Sequence, residues 1–284
     1  MRPLFCARVL NPTGTVNVTI ATSRPFWLLL TACIAVVFCG HLHAAESAQQ
    51  IIAKSVAANE RDWAANPLYS YNEQTKDADG SKTEQVIMLY GSPYHRLLKV
   101  HGEPLSRQDQ QREQMKFDRA AAERRAESRG ARASRIAKFE KSRARDHLMM
   151  SQLTRALTFQ LIGQSSISGR QVFVLTATPR PDYQPPNMES RVLTGMKGQL
   201  WIDTLTYQWV KVEAEVVSPV TIGGFLATVQ PGTQFELEKQ PVTNDIWLPS
   251  HFSVHSQSRI LGLFRHSTQE DDRYFDYMKT AWLP

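Results

Sequence analysis

The sequence has 284 residues and a formal net charge of +6 at pH 7, and its three cysteines are Cys6, Cys33 and Cys39. Because all three precede residue 44, the rest of the chain has no thiol to form a disulfide or to bind a metal. The remaining 240 or so residues must be held by a hydrophobic core, and they suffice for one large domain, with or without an insertion.

The first segment has the three parts of a secretory signal peptide. Arg24 precedes an uncharged apolar run over residues 26–40, and small residues follow up to Ala45. This run is short for a membrane span, which needs roughly 20 apolar residues. We predict that residues 1–44 are a signal peptide cleaved near Ala44. The mature chain is then periplasmic or otherwise exported.

Two other interpretations of this segment stay open. Residues 30–33 (Leu-Thr-Ala-Cys) match a lipoprotein cleavage box, and cleavage there would leave an acylated Cys33. Against this, the apolar residues 34–38 would stay on the mature protein as a tail. In the second interpretation the apolar run is not cleaved and remains in the membrane as an anchor.

The mature chain is predicted to begin with a helix that is followed by strands. Residues 47–64 predict an amphipathic helix that Ser47 can cap. A loose apolar stripe runs along this helix through Ile51, Val56 and Trp63. Strand patterns separated by glycine-containing turns follow over residues 68–75, 83–90 and 94–100.

The pattern changes between residues 103 and 155, a stretch with 14 Lys and Arg and 8 Asp and Glu. We predict a long charged helix or helical pair, broken at Gly130, inserted into the β domain. Its positive excess equals the net charge of the whole chain, so the basic character is confined to this insertion. Leu148, Met149, Leu153 and Leu157 are spaced to pack, which predicts that the end of the insertion docks.

The insertion is a candidate for contact with an anionic membrane surface or with an envelope protein. Its apolar residues do not form the broad face that an interfacial helix needs, so a solvated helix is the simpler interpretation. Nucleic acid is not predicted as a partner, because the insertion lacks the interleaved aromatic residues that stack on bases.

Strand patterns return after the insertion and continue to the end of the chain. In residues 207–217, valines and alanine at even positions alternate with polar residues, and residues 234–238 repeat this pattern. Such alternation is typical of an antiparallel sheet with one buried face. No βαβ rhythm appears. We therefore predict an α+β fold: a curved antiparallel sheet of about ten strands with an N-terminal helix and the charged helical insertion, residues 45–284 forming one domain.

No motif of a known catalytic site occurs in the mature chain, including Gly-rich phosphate loops, G-x-S-x-G elbows and H-E-x-x-H helices. We predict no catalytic residues, no cofactor and no metal, and we favour a protein that is not an enzyme; an esterase-like or hydrolytic enzyme with an unrecognised site is the third interpretation. His251 and His255 share a strand face about 13 Å apart, too far for one ion. Residues 270–272 (Glu-Asp-Asp) are interpreted as a solvated acidic turn rather than as a cation site.

Residues 196–215 contain Gly-Gln-Leu-Trp-Ile-Asp-Thr-Leu-Thr followed by an alternating strand, and residues 248–252 read Leu-Pro-Ser-His-Phe. Both resemble hairpin and late-strand motifs of the outer-membrane lipoprotein-sorting (LolA/LolB-like) superfamily. The resemblance covers roughly residues 66–102 and 156–279. It implies a half-open β-barrel whose concave side, closed by helices, shelters acyl chains. The charged insertion has no counterpart in short members, and no ligand-contacting residue can be matched one to one.

These observations predict a non-catalytic periplasmic carrier or binding protein for a lipidated or apolar ligand. The alternative is an envelope scaffold or sensor of the same fold that acts through its charged insertion. If large side chains fill the concave face, the scaffold is favoured. The predicted cavity-lining residues are the inward members of the alternating strands, although core packing would give the same pattern: Leu200, Ile202, Val210, Val212, Phe235 and Leu237.

Overall fold

The computed structural model describes residues 46–222, 227–260 and 264–280. The predicted signal peptide and Cys33 lie outside the described residues. Within the described part of the chain, no helix has the length and apolar character needed to cross a membrane.

Helix α1 (Ala48–Ala65) is the predicted N-terminal helix, which is confirmed. Ser47 caps it, because the Ser47 hydroxyl accepts a hydrogen bond from the amide of Gln50 while the Gln50 side chain accepts one from the amide of Ser47. One face carries Ile51 and Ala58, both fully buried, so burial against the sheet rather than helix propensity holds α1 in place.

Thirteen described strands form one antiparallel sheet. Their bounds are β1 Tyr69–Asp77, β2 Gly80–Leu89, β3 Ser92–Val100, β4 Glu103–Pro104, β5 Leu157–Ile167, β6 Arg170–Pro179, β7 Met196–Asp203, β8 Trp209–Val216, β9 Val220–Ile222, β10 Ala227–Val229, β11 Gln234–Pro241, β12 Trp247–Ile260 and β13 Phe264–Lys279. The strand order is β4-β3-β2-β1-β13-β12-β11-β8-β7-β6-β5, with β10 paired to both β12 and β9. This order does not close. The predicted α+β class and open, curved antiparallel sheet are therefore confirmed.

The charged insertion forms two helices, α2 (Arg107–Ala126) and α3 (Arg129–Ala156). The prediction of a break at Gly130 was wrong, because the helices separate two residues earlier. Ser128 is the N-cap of α3, its hydroxyl accepting a hydrogen bond from the amide of Ala131 at 3.2 Å, and Gly130 lies in the first helical turn. The two helices connect β4 to β5, which are the two edge strands of the sheet.

Arginines near the α2–α3 junction hold the turn between β2 and β3. The Arg124 guanidinium donates to the carbonyls of Leu89, Ser92 and Pro93 at 2.9–3.1 Å. Arg135 donates to the Ser92 hydroxyl at 2.7 Å. Part of the positive charge of the insertion therefore binds the sheet instead of facing solvent.

The sheet has a hydrophobic cluster on each face, as β6 shows most clearly. Phe173 and Leu175 pack with α1 in the larger cluster, whereas Val172 and Val174 lie in a smaller cluster with Val210. Since successive side chains of a strand point to opposite faces, the larger cluster defines an inner, helix-covered face and the smaller one an outer face.

Candidate functional site

A cavity of about 560 Å³ lies on the inner face, between α1 and α3 on one side and strands β1, β11, β12 and β13 on the other. Most of its wall is aromatic or aliphatic. The aromatic lining residues are Trp63, Tyr71, Trp209, Trp247, Phe252, Tyr274 and Tyr277. The cavity opens to solvent at its rim, so it is accessible from outside the fold.

Three tyrosines form the part of the wall supplied by β1 and β13. The ring of Tyr71 lies 5.3 Å from that of Tyr277 and 5.9 Å from that of Tyr274. The Tyr277 hydroxyl donates to the carbonyl of Pro249 at 2.8 Å, which fixes that ring. Burial raises the pKa of all three phenols, and the neighbouring carboxylate of Glu73 raises that of Tyr71 further, so these rings stay neutral.

A buried polar group joins α1 to the sheet beside the cavity. The carboxylate of Asp62 forms an ion pair with Lys239, and it accepts hydrogen bonds from the Gln208 side chain at 3.1 Å and the Trp247 amide at 3.0 Å. Lys239 also donates to Asn59 at 2.9 Å. Burial lowers the pKa of Lys239 more than the attraction of Asp62 raises it.

Helix α3 is attached at the rim through Trp63 of α1. The guanidinium of Arg143 lies 4.4 Å from the Trp63 ring centroid, and the His147 ring stacks on Trp63 at 4.3 Å. Arg143 also donates to the backbone carbonyl of Trp63. Glu140 pairs with Arg143 at 2.9 Å, and Glu60 pairs with His147 at 2.9 Å. A cation–π contact and a stacked ring therefore hold the helix that covers the cavity.

The end of α3 docks only in part as expected. Leu153 packs against the larger hydrophobic cluster and Leu157 is buried, but Leu148 remains 44% exposed.

The six predicted cavity residues fall into three groups. Leu237 lines the cavity. Leu200 and Ile202 are buried in the larger cluster, and Val212 and Phe235 pack against that cluster at its partly buried border. Leu200, Ile202 and Val212 therefore lie in or against filled core on the inner face, whereas Phe235 also lines a second cavity of about 560 Å³ that has a more polar wall.

Val210 lies on the outer face with Val172 and Val174. The β7–β8 register shifts between Trp201 and Ile202, so that Val210 is an extra residue in β8. A bulge of this kind changes which face the following side chains occupy. The predicted set therefore mixes both faces of the sheet.

Most residues of the cavity were missed because their strands lack clean alternation. Tyr71 and Tyr274 share the inner face with Glu73 and Asp272, and this mixture of aromatic and acidic residues gives no simple inward pattern. The signal in the sequence was the density of tyrosine in the first and last strands. The acidic stretch that contains Asp272 is not a turn, because it lies within β13.

No group of three or more His, Cys, Asp or Glu side chains is arranged to hold a metal in the described ranges. His251 Nε2 instead lies 2.9 Å from the carboxylate of Asp271, across the β12–β13 pair.

No protein-family model matches the chain, and no curated protein matches it in sequence. The chain is similar to several solved structures, which include the following three. The first is an outer membrane lipoprotein-sorting protein domain from Vibrio parahaemolyticus, with 12% identity over 82% of this chain and 94% of that chain and a TM-score of 0.32. The second is a LolA superfamily protein from Nitrosomonas europaea, with 15% identity over 84% and 96% and a TM-score of 0.31.

The third is a DUF1329 family protein from Desulfovibrio piger, with 7% identity over 84% of this chain and 96% of that chain and a TM-score of 0.33. The first two structures bear the name of the superfamily that residues 196–215 resemble. At these identities and TM-scores, a ligand for this chain has to be inferred from the cavity itself.

Proposed function

We propose that the protein binds the apolar part of a lipid or lipidated molecule in this cavity, as a non-catalytic carrier. The supporting observation is an open cavity of about 560 Å³ with a mainly aromatic and aliphatic wall. Small-molecule sites typically have volumes of roughly 300–1,000 Å³ and are largely apolar with a few polar groups. Each buried methylene of an acyl chain contributes about 0.8 kcal/mol, so such binding needs no catalytic group.

The binding residues in this proposal come from both layers of the fold. Trp63 and Met150 contact the ligand from the helices, and Leu237, Phe252 and Tyr274 contact it from the sheet. Of the other predicted residues, Leu200, Ile202, Val212 and Phe235 belong to or pack against the cluster that contains Trp209 of the cavity wall, and Val210 has no part in the site.

The proposal places this function outside the cytoplasm. The support is the positive flank, the apolar run over residues 26–40 and the small residues before Glu46, which are typical of signal peptides. Residues 45–284 are then the mature domain, with its insertion at 103–155. Intact-mass measurement of the exported protein tests this, since cleavage after Ala44 or Ala45 and acylation at Cys33 give different masses.

The alternative function is an envelope scaffold or sensor that acts through the charged insertion. Its support is α2, which is solvent-exposed along most of its length and contains Met115 at 60% exposure. Basic side chains along an exposed helix attract anionic membrane surfaces or acidic protein partners.

Ligand binding is tested with N-phenyl-1-naphthylamine, a neutral apolar fluorophore, in a fluorescence titration. We expect saturable binding that Leu237→Asn weakens about tenfold or more, because the substitution removes an apolar contact and adds an amide to the wall. Leu205→Asn is the matched control, since Leu205 lies outside the cavity and is 86% exposed.

Circular dichroism of each variant checks that the fold is retained, and Phe252→Ala provides a second change in the cavity wall. Absence of saturable binding by the unmodified protein would contradict the carrier function. Equal affinities for Leu237→Asn, Phe252→Ala and Leu205→Asn would also contradict it.

A further inference from the structure

Two carboxyl groups lie directly beside cavity-lining residues where β1, β12 and β13 meet. Glu73 is the cross-strand partner of Tyr274, and Asp272 is the partner of Phe252. Directly opposed residues of an antiparallel pair project to the same face, so both carboxyl groups share the face of these cavity-lining rings. The Tyr274 hydroxyl lies 3.4 Å from a carboxylate oxygen of Asp272, which links the cavity wall to this acidic pair.

The charges around the cavity do not balance. Each basic side chain among its lining residues lies beside a carboxylate: the pairs are Lys239–Asp62, Arg143–Glu140 and His147–Glu60. Glu73 and Asp272, by contrast, have no lysine, arginine or histidine within 4.0 Å among the described residues. Lys82, which lies on the neighbouring strand β2, pairs with Glu84 at 2.9 Å. The surplus charge at this end of the cavity is therefore negative.

Asp272 is a buried acid with an unused hydrogen-bonding atom. The residue is only 6% exposed, and its Oδ1 atom has no hydrogen-bond partner. A buried polar atom without a partner is costly, and in native proteins such an atom calls for an ion, a water or a ligand group. Burial and the charges of Asp272 and Glu84 raise the pKa of Glu73, and they outweigh the Tyr274 hydroxyl and the charge of Lys82, which lower it.

We propose that this end of the cavity receives the ammonium group of an amphiphilic ligand whose alkyl chain occupies the aromatic chamber. Glu73 and Asp272 supply the opposite charge, and the rings of Tyr71 and Tyr274 supply π faces. This inference rests on the proposed carrier function and specifies its ligand class.

Two physical effects favour an ammonium group here. Aromatic faces attract cations through the ring quadrupole, and groups of aromatic rings bind quaternary ammonium ligands. A carboxylate such as Glu73 attracts the same charge and accepts hydrogen bonds from a primary ammonium. An anionic headgroup would instead meet two carboxylates without cations, which selects against fatty acids of the same chain length.

The test compares three probes with one twelve-carbon chain and different headgroups: dodecylammonium, dodecyltrimethylammonium and dodecanoate. Each probe competes, below its micelle concentration at pH 7, with N-phenyl-1-naphthylamine bound to the full mature chain. We expect both ammonium probes to bind about tenfold tighter than dodecanoate or better. Tighter binding of dodecylammonium assigns recognition mainly to hydrogen bonds with Glu73, and tighter binding of dodecyltrimethylammonium assigns it to the ring faces.

The variants are Asp272→Asn and Glu73→Gln, with Asp271→Asn as the matched control. Asp271 is the next residue on the same strand, faces the other side of the sheet and pairs with His251. We expect the ratio of ammonium to dodecanoate affinity to fall about tenfold in either test variant and to stay unchanged in the control. Because the readout is a ratio, a general loss of stability does not imitate the expected result.

The inference is overturned if dodecanoate binds the unmodified protein as tightly as the ammonium probes do. It is also overturned if Asp271→Asn changes the ratio as much as Asp272→Asn and Glu73→Gln. Binding of the neutral fluorophore without preference for ammonium would overturn this inference and leave the carrier function standing. Failure of the neutral fluorophore to bind would overturn both.

Discussion

The two halves of the sheet are built from similar antiparallel strands, but their inner faces are packed differently. On β5–β8 the inner face is solid, since Leu175, Leu200 and Ile202 are at most 4% exposed beneath α1. On β11–β13 and β1 the inner face leaves the aromatic cavity. Regular alternation of apolar and polar residues along a strand thus identifies the buried face of the sheet. Whether the space between that face and the covering helix is filled depends on the side chains of the helix.

Helix α1 itself shows how the difference arises. Its first half places the aliphatic Ile51 and Ile52 directly on the sheet. Its second half presents Asp62 and Trp63, which reach Lys239 and α3 rather than packing flat. Polar and aromatic side chains at the end of one helix therefore hold the two layers apart.

Removing the Asp62 charge is expected to have the largest effect, because Asp62→Asn leaves the Lys239 ammonium buried without its counter-charge. We expect a loss of about 3–5 kcal/mol in the free energy of unfolding, measured with urea, and recovery in the double variant with Lys239→Met. Glu60→Gln, which breaks the more exposed pair with His147, should cost no more than about 1 kcal/mol. Equal losses for Asp62→Asn and Glu60→Gln would show that this polar group does not hold the layers.

Truncation of one large side chain in each half tests the comparison directly. Ile202→Ala is expected to cost about 3 kcal/mol of unfolding free energy, because Ile202 lies in filled core and its loss leaves a void. Phe252→Ala should cost only about 1 kcal/mol, because Phe252 borders space that is already open, and it should mainly weaken binding of the neutral fluorophore. A larger loss of stability for Phe252→Ala would mean that the cavity half is packed as tightly as the other half.

The attachment of α3 at the rim of the cavity is expected to contribute less to stability than the core of the filled half. Arg143→Ala removes the cation–π contact with Trp63 and the bond to its carbonyl, so we expect a loss of about 1–2 kcal/mol. Faster amide exchange in the middle of α3 should accompany it. Lys138→Ala, at an exposed site on the same helix, is the control. Unchanged exchange in Arg143→Ala would mean that α3 is held elsewhere.

The smallest effect is expected from Glu73→Gln as a function of pH. Burial raises the pKa of Glu73 above its usual 4.5, so the folded state binds this proton more tightly than the unfolded state. The unmodified protein should therefore lose stability as the pH rises from 4.5 through the folded-state pKa, and Glu73→Gln should lack this loss. The variant is then the more stable protein at pH 7, and the difference should disappear below pH 4.5. Parallel stability curves in thermal melts between pH 4 and 8 would contradict this.

The sequence predicted the parts of the fold that depend on local patterns. The Ser47 cap and the apolar stripe predicted α1, and alternation predicted the open antiparallel sheet. The α2–α3 break was misplaced, because a glycine in the middle of the charged stretch was a weaker signal than the side-chain cap of Ser128.

The cavity itself was not predictable from alternation. Counting alternate residues along β8 places Val210 on the inner face, but the register shift between β7 and β8 moves it to the outer face. Such a shift depends on the partner strand, so the sequence of β8 alone does not reveal it. Tyr71 and Tyr274 become neighbours only when the first and last long strands pair, which no local pattern records.

The route of the charged insertion has a mechanical consequence. It leaves one edge strand of the sheet and enters the other, and its second helix is 28 residues long. At 1.5 Å per residue this helix is about 42 Å long, and its middle is held on α1 by the contacts of Arg143 and His147 with Trp63. Widening of the cavity at this rim therefore requires the contacts of α3 with Trp63 to break, so the size of the opening depends on how firmly Arg143 and His147 hold that ring.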